Sequence, residues 1–446
     1  MQKLKQSTLF YYSLTDLPVM MSIFPVIVFI PRFYASDMGV SLAVVGAYIF
    51  ATRIMDVFTD PLMGYISDHT RSRFGKRKPW IALATPIIML AIYKLFLPPP
   101  DAGGGYMFIW MVLLSVGTTM MLIPYYAWGA ELSSDYNERS KITGWRASLG
   151  VVGQLTAQMV PALALLFWGI GGSANVLEMV GITMMVIMPI CVILTLVKTP
   201  EPEQEVSSVV PVMQGLKLMF SNGPFLRLVG AFMIGSIGLN ITTPLYIFFV
   251  ADVLGAEDRS IYMLSAFYIT NLLSIPFWVW LSTVVSKHRA YLASFIIIAC
   301  AHPFYLLLGP GDFWWMLPIT VCTGFAAAGF SQAIPNSMKA DVIDLDMLNT
   351  GENRAGLFFS AWSFAQKATA SIGGATAMFG LALWGFNAES PELNGDSEIF
   401  GLRFLFSTFP SIFFLTAAAI VWKYPITEER HSEIRAALAA KAQTAD

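Results

Sequence analysis

Two aspartates stand one helical turn apart inside a strongly apolar part of the sequence, RIMDVFTDPLMGYISD. Arg53, Asp56 and Asp60 are spaced by three and four residues, so a helix places them on one face, with the Thr59 hydroxyl beside them. An isolated charge at the centre of a membrane helix costs on the order of 2.5–3.5 kcal/mol, and a bound cation would compensate the two carboxylates. Carboxylate and hydroxyl oxygens suit Na⁺ as a hard cation, while two close carboxylates can instead share a proton. The pattern predicts a cation site at Asp56, Thr59 and Asp60; the alternative is an Arg53–Asp56 ion pair that only joins helices.

Asp16 is a third acid inside an apolar stretch, YYSLTDLPVMMSIFP. Pro18 and Pro25 break the predicted first helix around it. Proline at membrane depth is tolerated where a helix lines a cavity. Asp16 is therefore a candidate solute ligand, and the alternative is a polar residue near the helix end.

Two basic residues stand in later apolar stretches. Lys367, within SAWSFAQKATASIGG, is too far from the nearest loop for its ammonium to reach water easily. It should face a cavity or pair with an acid, and we expect that acid to be Asp56 or Asp60. Arg146, early in the fifth predicted helix, points into the cavity or caps a loop.

Aromatic residues are frequent, with 12 Trp, 16 Tyr and 33 Phe, and most should face lipid or the membrane interfaces. Tyr126 follows Pro124 and Tyr125 in the fourth predicted helix and is a better candidate for a cavity wall. Trp362 is a weaker one, because it lies five residues before Lys367 and so is not on the same helical face.

Composition favours an integral membrane protein over a soluble one. The chain has 446 residues, a mean hydropathy of +0.63 and 13% charged residues, against roughly 25% in soluble domains. The net charge of −2 excludes a nucleic-acid partner. The three cysteines and four histidines form no metal-ligand or nucleophile–base pattern, so we expect no cofactor and no enzymatic activity.

Hydropathy predicts twelve transmembrane helices. They cover residues 8–32, 41–67, 79–98, 105–130, 142–168, 175–198, 223–250, 260–285, 289–309, 312–337, 355–386 and 399–424. Basic residues cluster after the second, fourth and eighth spans and in the tail, whereas the loops PPPDAGGG, GIGGSAN, GPGD and NAESPELNGDSE carry none. This alternation places both termini in the cytoplasm.

A polar stretch divides the chain into residues 1–200, a connecting loop 201–222, and residues 223–446 with a cytoplasmic tail. An internal echo supports two halves: AELSSDYNERSKITGWR follows span four and ADVIDLDMLNTGENRAGLFF follows span ten. Two six-helix halves related as parallel repeats are the pattern of the major facilitator fold. The predicted class is therefore an all-α membrane protein of twelve helices in two six-helix bundles.

Two segments of the sequence resemble those of a known family. The segment DVFTDPLMGYISDHTRSRFGKRKPW is similar to the signature of the glycoside–pentoside–hexuronide:cation symporters, the melibiose-permease family of the major facilitator superfamily. The segment MKADVIDLDMLNTGENRAGLFFSAWSFAQKATASIGG resembles the cytoplasmic loop and eleventh helix of that family. The resemblance covers both halves and implies cation-coupled symport by alternating access.

The resemblance also implies roles for single residues. Asp56 and Asp60 match the cation-binding carboxylates, Thr59 stands where the melibiose permease has an amide, and Thr119 matches a hydroxyl at the cation site. If the cation is sodium, Asp56 and Asp60 are its metal ligands. The resemblance implies that Asp16, Arg146 and Lys367 line the solute site, and the aromatic candidates Tyr126 and Trp362 complete the predicted solute-binding set.

One departure bears on the solute. Leu122 stands where the melibiose permease has an aspartate that binds galactosyl hydroxyls, and Tyr126 replaces a tryptophan. A cavity with fewer acids that keeps Arg146 and Lys367 suits an anionic solute. We therefore expect a uronide or a sulfonated sugar.

The residues and the resemblance together indicate the expected function. The protein is predicted to carry a sugar-like solute with Na⁺ or H⁺, as a monomer, across a cell membrane of the bacterial inner-membrane type. The alternative within transport is a lysolipid or another amphiphile. A membrane enzyme or a non-transporting scaffold is disfavoured, because a scaffold has no reason to carry the cost of intramembrane charges.

Overall fold

The structure is a computed structural model that describes residues 5–133, 136–200, 222–351 and 355–445. Within those ranges it is helical and contains no β-strand. The first half of the chain forms α1 (Gln6–Ser13), α2 (Asp16–Val28), α3 (Ile30–Ser36), α4 (Leu42–His69), α5 (Lys78–Phe96), α6 (Gly104–Glu131), α7 (Tyr136–Trp168) and α8 (Ser173–Lys198). The second half forms α9 (Gly223–Phe248), α10 (Ser260–Val284), α11 (Lys287–Ala301), α12 (Met316–Ala328), α13 (Ile334–Thr350), α14 (Ala355–Leu383), α15 (Asp396–Phe406), α16 (Thr408–Val421) and α17 (Glu428–Ala445).

Eleven helical stretches in the described part of the chain are long and apolar enough to cross a membrane. They coincide in position with eleven of the twelve predicted spans. The remaining predicted span, 355–386, corresponds to α14, whose 29 residues are long enough but include Lys367 and many small or polar residues. The described residues thus have the all-α membrane character that the sequence predicted.

The first span is broken at its candidate solute ligand. α1 ends at Ser13 and α2 begins at Asp16, with a turn at residues 14–15. Pro18 lacks the N–H that would bond to the Leu14 carbonyl, so an unbroken helix would lose that hydrogen bond. The break places the Asp16 carboxylate at the first turn of α2, where the helix dipole favours a negative charge.

The chain divides into two compact units. Unit 1 comprises Met1–Val209 together with two short later segments, Glu257–Ser265 and Asn387–Asn394. In unit 1 the Glu257 carboxylate accepts a hydrogen bond from the Ser173 hydroxyl at 2.6 Å. Unit 2 contains the rest of the second half, and the predicted connecting loop falls outside the described residues except for residue 222.

Glycines bring α7 unusually close to α2 in unit 1. Gly150 packs against the Met20 side chain, and a Cβ atom at Gly153 would overlap the carbonyl group of Leu17. Arg146, Gly150 and Gly153 are spaced by four and three residues, so they share one face of α7. The close approach of the two helices therefore directs Arg146 toward Asp16.

Candidate cation and solute site

The two carboxylates on α4 lie against α6. Asp56 is 4% exposed and Asp60 is partly exposed. The Thr119 hydroxyl donates to Asp60 Oδ1 at 3.0 Å, and the Ser115 hydroxyl donates to Asp56 Oδ1. The aspartates and the hydroxyl residues are each four apart, so each α6 hydroxyl meets one carboxylate one turn along the facing helix. The four groups form a layer of oxygen atoms at membrane depth.

Thr59 and Arg53 complete the surroundings of this layer. Thr59 Oγ1 is buried and has no hydrogen-bond partner in the described part of the chain. Arg53 Nη1 lies 3.4 Å from Asp56 Oδ2, with about a third of the Arg53 side chain exposed. The Arg53–Asp56 pair predicted as an alternative to the cation site is thus present, but its geometry is loose. The carboxylates and the Thr59 hydroxyl supply oxygen atoms of the kind that bind a hard cation.

Ser115 was missed by the sequence reasoning. Its signal is its spacing, because it stands four residues before Thr119 on the same face of α6. The pattern is a pair of hydroxyl residues spaced by four residues that faces a pair of carboxylates with the same spacing. It can be sought in a sequence once the two facing helices are known.

A second polar cluster joins α2, α6 and α7. Arg146 Nε lies 2.9 Å from Asp16 Oδ2, and the Tyr125 hydroxyl donates to the same oxygen at 2.7 Å. The Asp16 side chain is 3% exposed and that of Arg146 is 19% exposed. The Tyr12 hydroxyl donates to the Tyr125 carbonyl at 2.7 Å and holds this part of α6. The structure therefore brings two predicted solute ligands, Asp16 and Arg146, into one buried ion pair.

Tyr126 supplies the more open wall of this cluster. The Arg146 guanidinium carbon lies 3.9 Å from the centroid of the Tyr126 ring, and Tyr126 is 37% exposed. Stacking on the ring adds a cation–π attraction to the ion pair. Because Asp16 compensates the charge of Arg146, the exposed side of the cluster offers a neutral, hydrogen-bonding surface rather than a free cation.

The two predicted solute residues of unit 2 lie on α14. Trp362 is 4% exposed and its ring lies 4.3 Å from that of Phe232 on α9. Lys367 is partly buried, and the Ser371 hydroxyl donates to its carbonyl at 3.1 Å. The pairing of Lys367 with Asp56 or Asp60 stays a prediction. Trp362 acts at least as a packing residue between helices of unit 2.

A separate charge cluster ties together the ends of α4, α5 and α6. Arg77 donates to Glu131 Oε1 at 2.6 Å and to the Ser67 hydroxyl at 2.7 Å, and its guanidinium lies 2.5 Å from Asp68. Burial lowers the pKa of Arg77, but the Glu131 and Asp68 carboxylates outweigh burial and raise it. These contacts join the ends of α4, α5 and α6, so Asp68 and Arg77 form a latch between helix ends.

We expect Arg77→Gln to destabilise the protein by about 3–5 kcal/mol, because it leaves Glu131 buried without its cation. The measurement is chemical unfolding in detergent micelles. Arg73→Gln is the matched control, since Arg73 is an exposed residue of the same loop that stacks on Phe74. Equal stability of the two variants would contradict this account of the latch.

An all-helical chain in two units, with acids and hydroxyls assembled at membrane depth, defines a multi-pass membrane transporter. A family model described as MFS/sugar transport protein matches residues 11–428. The chain belongs to this family and is of the glycoside–pentoside–hexuronide symporter type. It is a secondary transporter and not an enzyme.

Relatives and a solved structure agree with that assignment. The isoprimeverose transporter of Lactiplantibacillus pentosus is 26% identical over 86% of this chain and 81% of its own. The sodium-dependent lysophosphatidylcholine symporter 1 of Mus musculus is 25% identical over 88% of this chain and 80% of its own. The glucuronide carrier protein homolog of Escherichia coli K12 is 24% identical over 97% of this chain and 95% of its own. The crystal structure of the nucleoside transporter NupG shares the fold, with a TM-score of 0.66 at 14% identity, over 94% of this chain and 100% of that chain.

Proposed function

We propose that the protein couples the movement of a sugar-like, anionic solute to that of Na⁺ or H⁺. The observation that carries this proposal is the oxygen layer of Asp56, Asp60, Ser115 and Thr119, next to the buried unpartnered hydroxyl of Thr59. The carboxylates and the Thr59 hydroxyl would bind the cation. Cation binding neutralises the acids and orders α4 against α6, which raises the affinity for solute.

The solute ring is assigned to the Asp16–Arg146–Tyr126 cluster of unit 1. The ion pair presents both a carboxylate acceptor and guanidinium donors, the combination that sugar hydroxyls require. An exposed tyrosine ring beside it adds an apolar surface. The assignment of a uronide or sulfonated sugar is supported by the likeness to a glucuronide carrier homolog and by the Leu122 departure.

In this proposal the transporter resides in a cell membrane with both termini on the cytoplasmic side, and works as a monomer by alternating access. The basic cluster at Arg77, Lys78 and Arg73 supports that orientation. No cofactor is needed, because the coupling ion and the solute are both cargo.

The test is uptake into proteoliposomes driven by an imposed Na⁺ or proton gradient, with methyl β-D-glucuronide and methyl β-D-glucoside as a matched pair. Gradient-driven uptake of the glucuronide supports the proposal. A gradient that drives neither sugar contradicts it. A second candidate, lysolipid transport, is favoured by the likeness to the lysophosphatidylcholine symporter, and gradient-driven uptake of lysophosphatidylcholine alone would establish it instead.

Ser115→Ala should weaken the apparent affinity for the coupling cation by about fivefold, because a typical hydrogen bond contributes about 1 kcal/mol net. The measurement is the cation concentration that gives half-maximal uptake. Thr118→Val is the matched control on α6, since the Thr118 hydroxyl donates to the Leu114 carbonyl of its own helix at 2.7 Å. A cation affinity that changes equally in both variants would argue against a role for Ser115.

A further inference from the structure

A buried lysine in unit 2 lies outside every role described above. Lys339 on α13 is 4% exposed, and its ammonium nitrogen lies 4.7 Å from the ring centroid of Phe359 and 4.6 Å from that of Trp362. In the described part of the chain, its ammonium group donates a hydrogen bond to Asn336 Oδ1, with an N–O distance of 3.2 Å. No carboxylate of the described residues lies within ion-pair distance of it. Among the described residues, this buried ammonium is held by two ring faces and one amide, without a carboxylate that would compensate its charge.

The nearest acid in sequence already has another partner. Asp341 binds the Lys287 ammonium through both carboxylate oxygens, at 2.7 and 2.8 Å. Two residues correspond to about 200° around an α-helix, so Asp341 and Lys339 point to opposite sides of α13. In the described part of the chain, the helix therefore carries a lysine–carboxylate pair on one side and, on the other, a lysine that no carboxylate pairs with.

The surroundings of Lys339 form a polar stripe that suits a ligand. Gln332 and Asn336 are exposed, and together with Lys339 they are spaced by four and three residues along one face. The Gln332 amide donates to Asn271 on α10 at 3.2 Å. Polar side chains in spanning helices face a bundle interior or a water-filled cavity rather than lipid. The chain also takes a π-helical turn at Gly329–Ala333, which includes Gln332, and such turns are frequent at functional sites.

We propose that Lys339, with Asn336 and the rings of Phe359 and Trp362, forms an anion-binding subsite within unit 2 for a small oxyanion such as sulfate or phosphate. This inference rests on the contacts of Lys339 inside unit 2 and does not depend on the proposed function.

The first test uses inorganic sulfate as the probe and tryptophan fluorescence of the purified full-length protein as the readout, at constant ionic strength. Trp362 lies beside Lys339, so a saturable fluorescence change is expected in the wild type and lost in Lys339→Gln and Trp362→Phe. Lys339→Arg should keep the response, because the guanidinium also binds sulfate. Lys423→Gln is the matched control, because Lys423 is an exposed lysine of the same unit, and it should respond as the wild type does. Identical titrations of the wild type and Lys339→Gln, whether both respond or neither does, would overturn the subsite.

The second test separates this inference from the proposed function. In isothermal titration calorimetry at constant ionic strength, Lys339→Gln should weaken sulfate binding by roughly 10- to 100-fold, the range for loss of a charged hydrogen bond. If the variant binds sulfate as the wild type does, the subsite is wrong and the proposed function stands. If gradient-driven uptake of methyl β-D-glucuronide fails in the wild type while sulfate behaves as expected, the proposed function is wrong and the subsite stands.

Discussion

We expect the Asp60→Asn variant to fold normally and to lose cation-dependent uptake. The asparagine amide can still accept the hydrogen bond from Thr119, so the contact between α4 and α6 is kept. What is lost is the negative charge that attracts the cation. A pair of unit charges about 4 Å apart is worth about 4 kcal/mol at an effective dielectric constant near 20, so a fall in cation affinity of at least about 100-fold is expected.

The measurement is solute uptake into proteoliposomes with and without an Na⁺ gradient, and separately with and without a proton gradient. Asp68→Asn is the control acid on α4, because Asp68 lies in the Arg77 cluster at the helix end and should keep gradient-driven uptake. An Asp60→Asn variant with the gradient dependence of the wild type would show that Asp60 is not a coupling ligand.

The second large effect is expected at the buried ion pair of unit 1. Arg146→Gln leaves the Asp16 carboxylate 3% exposed and without its cation. Breaking one partner of a buried pair costs about 3–5 kcal/mol, so we expect both a loss of stability and a loss of solute binding. Asp16→Asn should cost less stability, because the Arg146 side chain is 19% exposed and its charge remains partly solvated.

The double variant Asp16→Asn/Arg146→Gln separates the two effects. Removing both charges should restore most of the stability, because no uncompensated charge remains in the bundle. Solute binding should stay lost, because the carboxylate and guanidinium groups that meet the sugar hydroxyls are gone. Isothermal titration calorimetry and thermal unfolding in detergent measure the two quantities. A double variant that binds solute as the wild type does would show that the pair is structural only.

Hydropathy was sufficient to predict where the chain crosses the membrane, because a span must satisfy its backbone internally and cover its surface with apolar side chains. The helix of the tenth predicted span, which ends at residue 337, continues in the structure to Thr350 on α13. The extension, KADVIDLDMLNT, is charged but helical, and its Asp341 is held by Lys287. Hydropathy alone does not register this extension, because it counts Asp341 as a polar residue and carries no information on its partner on the neighbouring helix.

The candidate cation residues were predictable because they are intramembrane charges at helical spacing, and such charges are rare enough to stand out. The structure does bring Thr119 to Asp60, but it also supplies Ser115, whose spacing from Thr119 becomes informative only once α4 and α6 are paired. Arg146 was predicted as a cation for an anionic solute, whereas the structure pairs it with Asp16 across α2 and α7. That pairing depends on the close approach at Gly150 and Gly153, a packing property that becomes visible only when the two helices are placed together.

In the proposed function, the carboxylate pair of Asp56 and Asp60 links cation binding to solute binding. Linkage requires that a cation which raises solute affinity by some factor is itself bound more tightly by the same factor when solute is present. The most direct measurement is the calorimetric solute affinity of the purified protein as a function of Na⁺ concentration and pH, for the wild type and for Asp60→Asn. We predict a solute affinity that rises with one of the two cations in the wild type and is independent of both in the variant. A solute affinity that depends on Na⁺ or on pH to the same degree in both proteins would contradict the claim.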